Sequence, residues 1–333
     1  MKKIIMIVTV LLLIAAAVLY FRGGRKELTS VGFLFPDSMY DQTWGTEGYK
    51  GMLDIVQTYD TAFFYEQNIN TRPKIERSIS EMSARNVNIL FGQGKEYTEV
   101  FNDVAARYPD IQFVVFNGKS TAENVTAINI DGYSVGFFSG MIAGHHTDNN
   151  HIGVIGAFKS QPDIKGFIDG AKFENPDVMI TEKYIHTFGY DHKGAALAEQ
   201  MIKRDHVDVI FPAADGINAD VMSLAKEQDI STIGYIIDQS MNGPQVLTSL
   251  QLNLSKAYAQ AADQYSNNQL RGGTYYLGVK EDMVELGPIS YRIDEEFQKR
   301  IKQDFDRYEK KLVLPNGIKE TRSHFESYLK TSN

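Results

Sequence analysis

From Val31 onward the chain alternates short apolar runs with amphipathic stretches of about ten to fifteen residues. The pattern predicts strands at Val31–Phe35, Ala62–Tyr65, Val87–Phe91 and Gln112–Phe116, separated by helices at Thr46–Gln57, Pro73–Arg85 and Tyr97–Arg107. A second series predicts strands at His151–Ile155, Met179–His186, Val207–Phe211 and Thr232–Ile237, with helices at Ile164–Glu174, His192–Lys203 and Ala219–Gln228. Near-continuous apolar strands between amphipathic helices indicate a mostly parallel sheet covered on both faces. Two such series predict an α/β chain of two doubly wound lobes, with a boundary at Asp131–Gly132. Further on, Gln245–Asn253 is strand-like and Ser255–Tyr265 helical, with Ser255 as its expected cap. Tyr275–Val279 and Met283–Leu286 are predicted short strands, Glu295–Lys311 a charged surface helix, and Arg322–Leu329 a last helix.

A different pattern occupies the amino terminus. The 18-residue apolar run Ile4–Phe21 lies between Lys2-Lys3 and Arg22-Gly23-Gly24-Arg25-Lys26, and it is long enough to cross a hydrocarbon core. A cleaved secretory signal and an uncleaved anchor are both open. The small residues Ala15-Ala16-Ala17 lie inside the run, with Val18-Leu19-Tyr20-Phe21 still to follow, so an anchor is the better fit. Arg22, Arg25 and Lys26 favour retention of the body inside, whereas a short basic start followed directly by an apolar run is how exported chains begin. The expectation is a single transmembrane helix at the cell membrane with an extracytoplasmic body. The chain has no cysteine, which excludes lipidation at a post-signal Cys and leaves the body to be stabilised by its core rather than by disulfides.

Composition narrows the function classes. The chain is 43% hydrophobic with 19 Phe and 18 Tyr, enough for more than one core, and beyond residue 27 it is longer than a single core usually holds. Its net charge is −8 and no Lys/Arg cluster follows the membrane flank, so direct nucleic-acid binding is not expected. There is no His-Glu-x-x-His, Gly-x-Ser-x-Gly or phosphate-loop element, and no Cys nucleophile. The pair His145-His146 ends a helix, where imidazoles meet free carbonyls; that role is favoured over metal binding. Neither a metal nor a cofactor is expected, and binding is favoured over catalysis.

In parallel sheets ligands approach the carboxyl ends of strands, which in a two-lobed chain can face across a cleft. The loop after the first strand, Pro36 to Gly45, carries Asp37, Tyr40, Asp41 and Trp44, the only Trp of the chain. These side chains suit stacking on an aromatic ring and accepting its hydrogen bonds; they equally suit packing against a neighbouring loop and capping the next helix. Gly92 ends a strand where backbone N–H groups can approach a guest. Asn117 follows another strand, with ligand bonding and a turn role both open. Phe158, Asp215 and Asp238 occupy the corresponding positions of the second series, and each Asp can instead cap a following helix.

Several of these segments together resemble the basic membrane protein family of extracytoplasmic solute-binding proteins. They are Val31-Gly32-Phe33-Leu34-Phe35-Pro36-Asp37, Gln42-Thr43-Trp44-Gly45, Gly48-Tyr49-Lys50-Gly51, Phe137-Phe138-Ser139-Gly140-Met141, Asp169-Gly170-Ala171-Lys172, Asp238-Gln239-Ser240 and Val246-Leu247-Thr248-Ser249. The resemblance extends to a regulatory branch of the family that acts in competence. It implies a type I periplasmic-binding-protein fold with hinge crossovers: residues 1–27 as anchor or signal and linker, 28–130 plus 249–280 as one lobe, and 131–248 plus 281–333 as the other. It further implies a purine nucleoside or related small molecule as ligand and an ABC permease as partner. By the same resemblance Asp41 meets the purine base and Trp44 stacks on it, but the neighbouring family Asn is Gly45 here and Asn117 stands where importers usually carry Asp. The family's ribose-binding Asp is replaced by Ile236, and a Lys after the Thr-Ser pair by Leu252 or a neighbour. Hydrogen bonds to charged groups contribute about 1.5–3 kcal/mol, so these changes predict weakened nucleoside recognition. The expected function is a membrane-tethered binding protein with a divergent cleft, regulatory in character; an importer receptor and a ligand-free protein-interaction domain are the alternatives.

Overall fold

A computed structural model describes residues 26–40, 43–189 and 192–319. The apolar run Ile4–Phe21, Asp41 and the predicted helix Arg322–Leu329 lie outside the described residues. Among the described residues no helix is long and apolar enough to cross a membrane.

The first series opens with β1 (Ser30–Leu34), α1 (Trp44–Tyr59), β2 (Ala62–Glu66), α2 (Arg72–Ala84) and β3 (Ile89–Gly92). It continues through α3 (Thr98–Val104), β4 (Gln112–Phe116) and β5 (Val125–Ile130). The second series runs α4 (Tyr133–His146), β6 (His151–Gly156), α5 (Pro162–Glu174), β7 (Met179–Tyr184), α6 (Lys193–Asp205), β8 (Val209–Ala213), α7 (Asp215–Glu227) and β9 (Ser231–Ile236). It is followed by β10 (Val246–Leu252), α8 (Leu254–Ser266), β11 (Gly273–Leu277), β12 (Val284–Leu286) and α9 (Glu295–Lys311).

These strands form two six-stranded sheets, ordered β2-β1-β3-β4-β5-β11 and β7-β6-β8-β9-β10-β12. The pairings of β1 with β2 and β3, of β3 with β4, of β6 with β7 and β8, and of β9 with β8 and β10 are all parallel. β12 runs antiparallel to β10 as an edge.

The chain divides into two compact units. Of the described residues, one unit holds 26–36, Gly51–Ala127 and Ala257–Thr274, and the other holds those within 37–50, 128–256 and 275–319. In the first unit, Leu34, Leu90, Phe113 and Val115 point into an apolar cluster with Ile75, Ile79 and Met82 of α2 and Phe101 of α3. Period-two alternation sends Phe33, Phe91 and Phe116 to the opposite face, against Tyr258 of α8. In the second unit, Ile155 and Ile210 pack with Ala198 and Met201 of α6 and Ile217 and Val221 of α7. Phe211 packs on the other face against Phe167 of α5, with the rings tilted and their centroids 4.8 Å apart.

Several predicted features shift, among them the helix predicted at Ala219–Gln228, which starts four residues earlier at Asp215 as α7. Helix α8 begins at Leu254, so Ser255 lies inside its first turn and does not cap it. Helix Tyr97–Arg107 is divided, with α3 flanked by 3₁₀ turns at Lys95–Tyr97 and Ala105–Arg107. His145 and His146 do end α4: His145 Nε2 lies 2.7 Å from Asp294 Oδ2, and His146 Nε2 lies 2.9 Å from Ser231 Oγ.

Candidate functional site

In each sheet the strand order reverses beside the first strand of its series, at β1 and at β6. Connections from neighbouring strands then leave toward opposite faces and open a crevice at the carboxyl ends. The candidate residues sit at those ends, on each sheet separately.

In the first unit Gly92 closes β3, but a Cβ there would come 2.6 Å from the Tyr97 ring, so the missing side chain makes room for Tyr97. The next residue, Gln93, is fully buried and its Oε1 accepts a 3.0 Å hydrogen bond from the Tyr258 hydroxyl. Burial pushes the Tyr258 phenol well above its usual range, keeping it a donor. Gly94 has φ +148°, a conformation that favours glycine. Asn117 is exposed just past β4 in the left-handed region (φ 57°), which fits its turn role and leaves its amide accessible.

The second unit gathers the other described candidates. Asp37 is exposed, and a Cβ placed on Gly189 would sit 3.4 Å from its Oδ2, so the loop after β1 lies against the loop after β7. Tyr40 is 66% exposed, with its ring 6.1 Å from that of Tyr49. Trp44 is half-buried and opens α1, whose first turn is closed by Glu47 N donating to the Thr43 carbonyl at 3.0 Å. Phe158 packs with Phe188 and His186, at 5.4 and 6.4 Å between ring centroids. Asp215 is buried in the first turn of α7. Asp238 is exposed, and its Oδ1 accepts from Ser240 N at 2.9 Å, which begins the 3₁₀ turn Ser240–Asn242.

Beneath these loops runs a buried polar network that the sequence reading missed. Gln161 accepts from Phe158 N at 2.8 Å and donates to the Ala213 carbonyl at 2.9 Å and to the Tyr235 hydroxyl at 3.2 Å. Tyr235 also hydrogen-bonds Asp163, and burial raises its phenol well above the usual range. Burial likewise pushes the Asp163 carboxyl up to about 6, against the opposing pull of the Tyr235 hydrogen bond. Gln239 ties the next layer: its Oε1 accepts from Tyr235 N at 2.8 Å, its backbone N donates to Ser249 Oγ at 3.0 Å, and its amide donates to Asn218 Oδ1. The missed signal was Gln161-Pro162-Asp163. Proline at the first helical position followed by an acid marks a helix start, here at the carboxyl end of β6. Directly after Tyr235, Ile236, 2% exposed, ends β9 with φ +71°, a conformation β-branched residues rarely adopt.

The arrangement offers hydrogen-bonding side chains, aromatic rings and carboxylates at strand ends, as small-molecule binding requires. Among the described residues no group of three or more His, Cys, Asp and Glu side chains is placed to hold a metal ion.

Comparison with known proteins agrees with this geometry. Residues 28–317 match the Bmp family, described as ABC transporter substrate-binding protein PnrA-like. The transcriptional activator protein Med of Bacillus subtilis (strain 168) is 41% identical over 292 residues, covering 87% of this chain and 92% of Med. A crystal structure of a transcriptional activator of the comK gene from Bacillus halodurans superposes with TM-score 0.78 at 31% identity, over 86% of this chain and 99% of that one. A purine-binding protein of Brucella abortus is 24% identical over 291 residues, 83% of this chain and 82% of that protein. The two parallel sheets are the lobes of a type I periplasmic-binding fold. The chain belongs to the Bmp family of PnrA-like ABC transporter substrate-binding proteins.

Proposed function

We propose that this chain is a membrane-tethered, Med-like positive regulator of competence, built on a solute-binding scaffold whose nucleoside site has diverged. The observation that carries the reading is the 41% identity to Med across 92% of Med's length, against 24% to the purine-binding protein. The residues at the carboxyl end of the second sheet fit it. Where the family resemblance implies a ribose-binding carboxylate, Ile236 places a buried apolar side chain, and one oxygen of Asp238 is engaged in a turn. Asp37, Tyr40, Asp41, Trp44, Gly92, Asn117, Phe158 and Asp215 remain the proposed ligand-facing set, with Gln161 and Gln239 supporting the loops of the second unit. The tether is the apolar run Ile4–Phe21, with the body extracytoplasmic; catalysis forms no part of the reading, nor does direct DNA contact, which a net charge of −8 disfavours.

Two measurements test it. In the host, deleting the gene is expected to lower transcription from a comK reporter; an unchanged reporter sinks the regulatory reading. Calorimetric titration of the detergent-solubilised full chain with inosine, guanosine and adenosine is expected to give no submicromolar binding. Tight nucleoside binding would instead establish the second reading, an importer receptor delivering nucleoside to an ABC permease, which the family's own description favours.

A further inference from the structure

One buried acid in the second unit is used by neither the fold's apolar packing nor the ligand-facing set. Asp163 stands in the first turn of α5 at 6% exposure, and its Oδ2 has no hydrogen-bond partner. It is wedged beneath the start of α4. A Cβ on Gly132 would come 3.1 Å from the Asp163 Cβ, and one on Gly136 would overlap the Asp163 carbonyl oxygen. Its other contacts reach the loop ends of three strands. Tyr235 at the end of β9 hydrogen-bonds it and also receives Gln161 Nε2, which joins Tyr235 to Ala213 at the end of β8; Gln161 Oε1 holds the Phe158 N–H beyond β6. Tyr235 immediately precedes Ile236, whose backbone is held in the left-handed region.

We propose that Asp163 is a proton switch: protonated, it lets α5 seat against α4 and locks the loops after β6, β8 and β9; ionised, it loosens them.

The reason is physical. A carboxylate sealed from water with one oxygen unpartnered is costly, whereas the neutral acid in the same place costs far less. The charged and polar groups facing it are Asp131, between β5 and α4, which disfavours ionisation; Tyr235 from β9, whose hydrogen bond favours it; and the backbone N–H groups of Asp163 and Ile164, which also favour it. Asp215 at the start of α7 acts on Tyr235, whose phenol burial keeps protonated. Burial dominates this balance and holds the carboxyl at about 6, above its ordinary 3.8. The sign follows: the folded unit holds its proton more tightly than the unfolded chain, so the contribution is complete below about pH 4 and is lost as pH rises through about 6. Ionisation is then relieved by admitting water between the starts of α4 and α5, and every bond routed through Tyr235 and Gln161 is weakened with it.

The test is hydrogen exchange of the detergent-solubilised full chain at pH 5 and pH 7.5, corrected for the intrinsic pH dependence of exchange, in peptides covering residues 158–163 and 235–240. Protection in the wild type is expected to fall roughly tenfold or more at the higher pH. Asp163→Asn, which cannot ionise, is expected to show equal protection at both values. Tyr235→Phe removes the hydrogen bond that favours the carboxylate and is expected to move the transition to higher pH. A wild type without the transition overturns the proposal, as does an Asp163→Asn variant that keeps it. Should Asp163→Asn fail to fold, the Tyr235→Phe shift decides: movement upward supports the switch, and no movement or movement downward overturns it.

Discussion

Ile236 shows how a single side chain records two pressures. Its φ of 71° costs an L residue about 1–2 kcal/mol, yet the side chain is buried at the end of β9. Ile236→Gly relieves that strain while deleting buried methyl groups, so it is expected to destabilise by about 1–2 kcal/mol, below the usual 2–5 of an Ile truncation. Urea unfolding measures this, and a loss above about 4 kcal/mol would mean that no strain was relieved. His146 acts on pH stability in the direction opposite to Asp163. Burial lowers its pKa from the usual 6.5, so the unfolded chain takes up a proton that the folded one resists, and stability is lost as pH falls below that value. His146→Gln is expected to remove this acid-side loss, read as a flatter unfolding midpoint between pH 6.5 and pH 5. At this scale the sequence was partly legible. Asp37, Asn117 and Asp238 stand at strand ends as their positions predict, because the alternation of elements fixes where loops fall. Gln161, Asp163 and Tyr235 were hidden, since nothing in a one-dimensional pattern says which polar residues of separate segments will meet in the interior.

Among elements, α4 and α5 form the tightest pair. Gly136, Gly140 and Gly144 of α4 lie against Asp163, Phe167 and Ala171 of α5, while Gly166 and Gly170 of α5 face Tyr133 and Phe137; a Cβ at Gly140 would overlap the Phe167 carbonyl oxygen, and one at Gly144 would lie 2.7 Å from that of Ala171. These contacts are with backbone and cannot be relieved by a rotamer change. Gly140→Ala is therefore expected to cost about 2 kcal/mol or more and Gly144→Ala less, in the same unfolding assay; equal costs would mean that the helices part freely. The amphipathic helices and the first strands of each series were legible because their apolar positions follow periods of 3.6 and 2. The span of α4 was not, because it is buried on every side from Ser134 to Gly144 and carries no polar stripe to set a period. β5 was missed for another reason. It follows β4 after a short loop with no helix between, so the strand–helix alternation left no slot for it.

For the whole molecule, the two series fold into sheets of one strand order although no internal repeat is visible in the sequence. Backbone topology is fixed by where apolar runs occur, and side-chain identity is free to drift around it. The proposed tether makes a prediction at this scale: the full chain sediments with membranes through a high-salt wash, whereas a variant lacking residues 2–25 is released. Retention of that variant would place the attachment elsewhere. One end of the first unit bears on how the protein is handled. Lys26 N donates to the Ser266 carbonyl at 2.8 Å, and Ala62 N to that of Thr29, so the described chain enters beside the amino ends of β1 and β2. The loops holding Gln93 and Asn117 lie at the opposite ends of the strands, roughly 17 Å away for a five-residue strand. A purification handle or biosensor linkage joined directly at Lys26 in place of the preceding residues thus grips the blunt end of that sheet and leaves those loops facing the flowing sample, which makes immobilisation at this point the suitable geometry for screening unknown ligands.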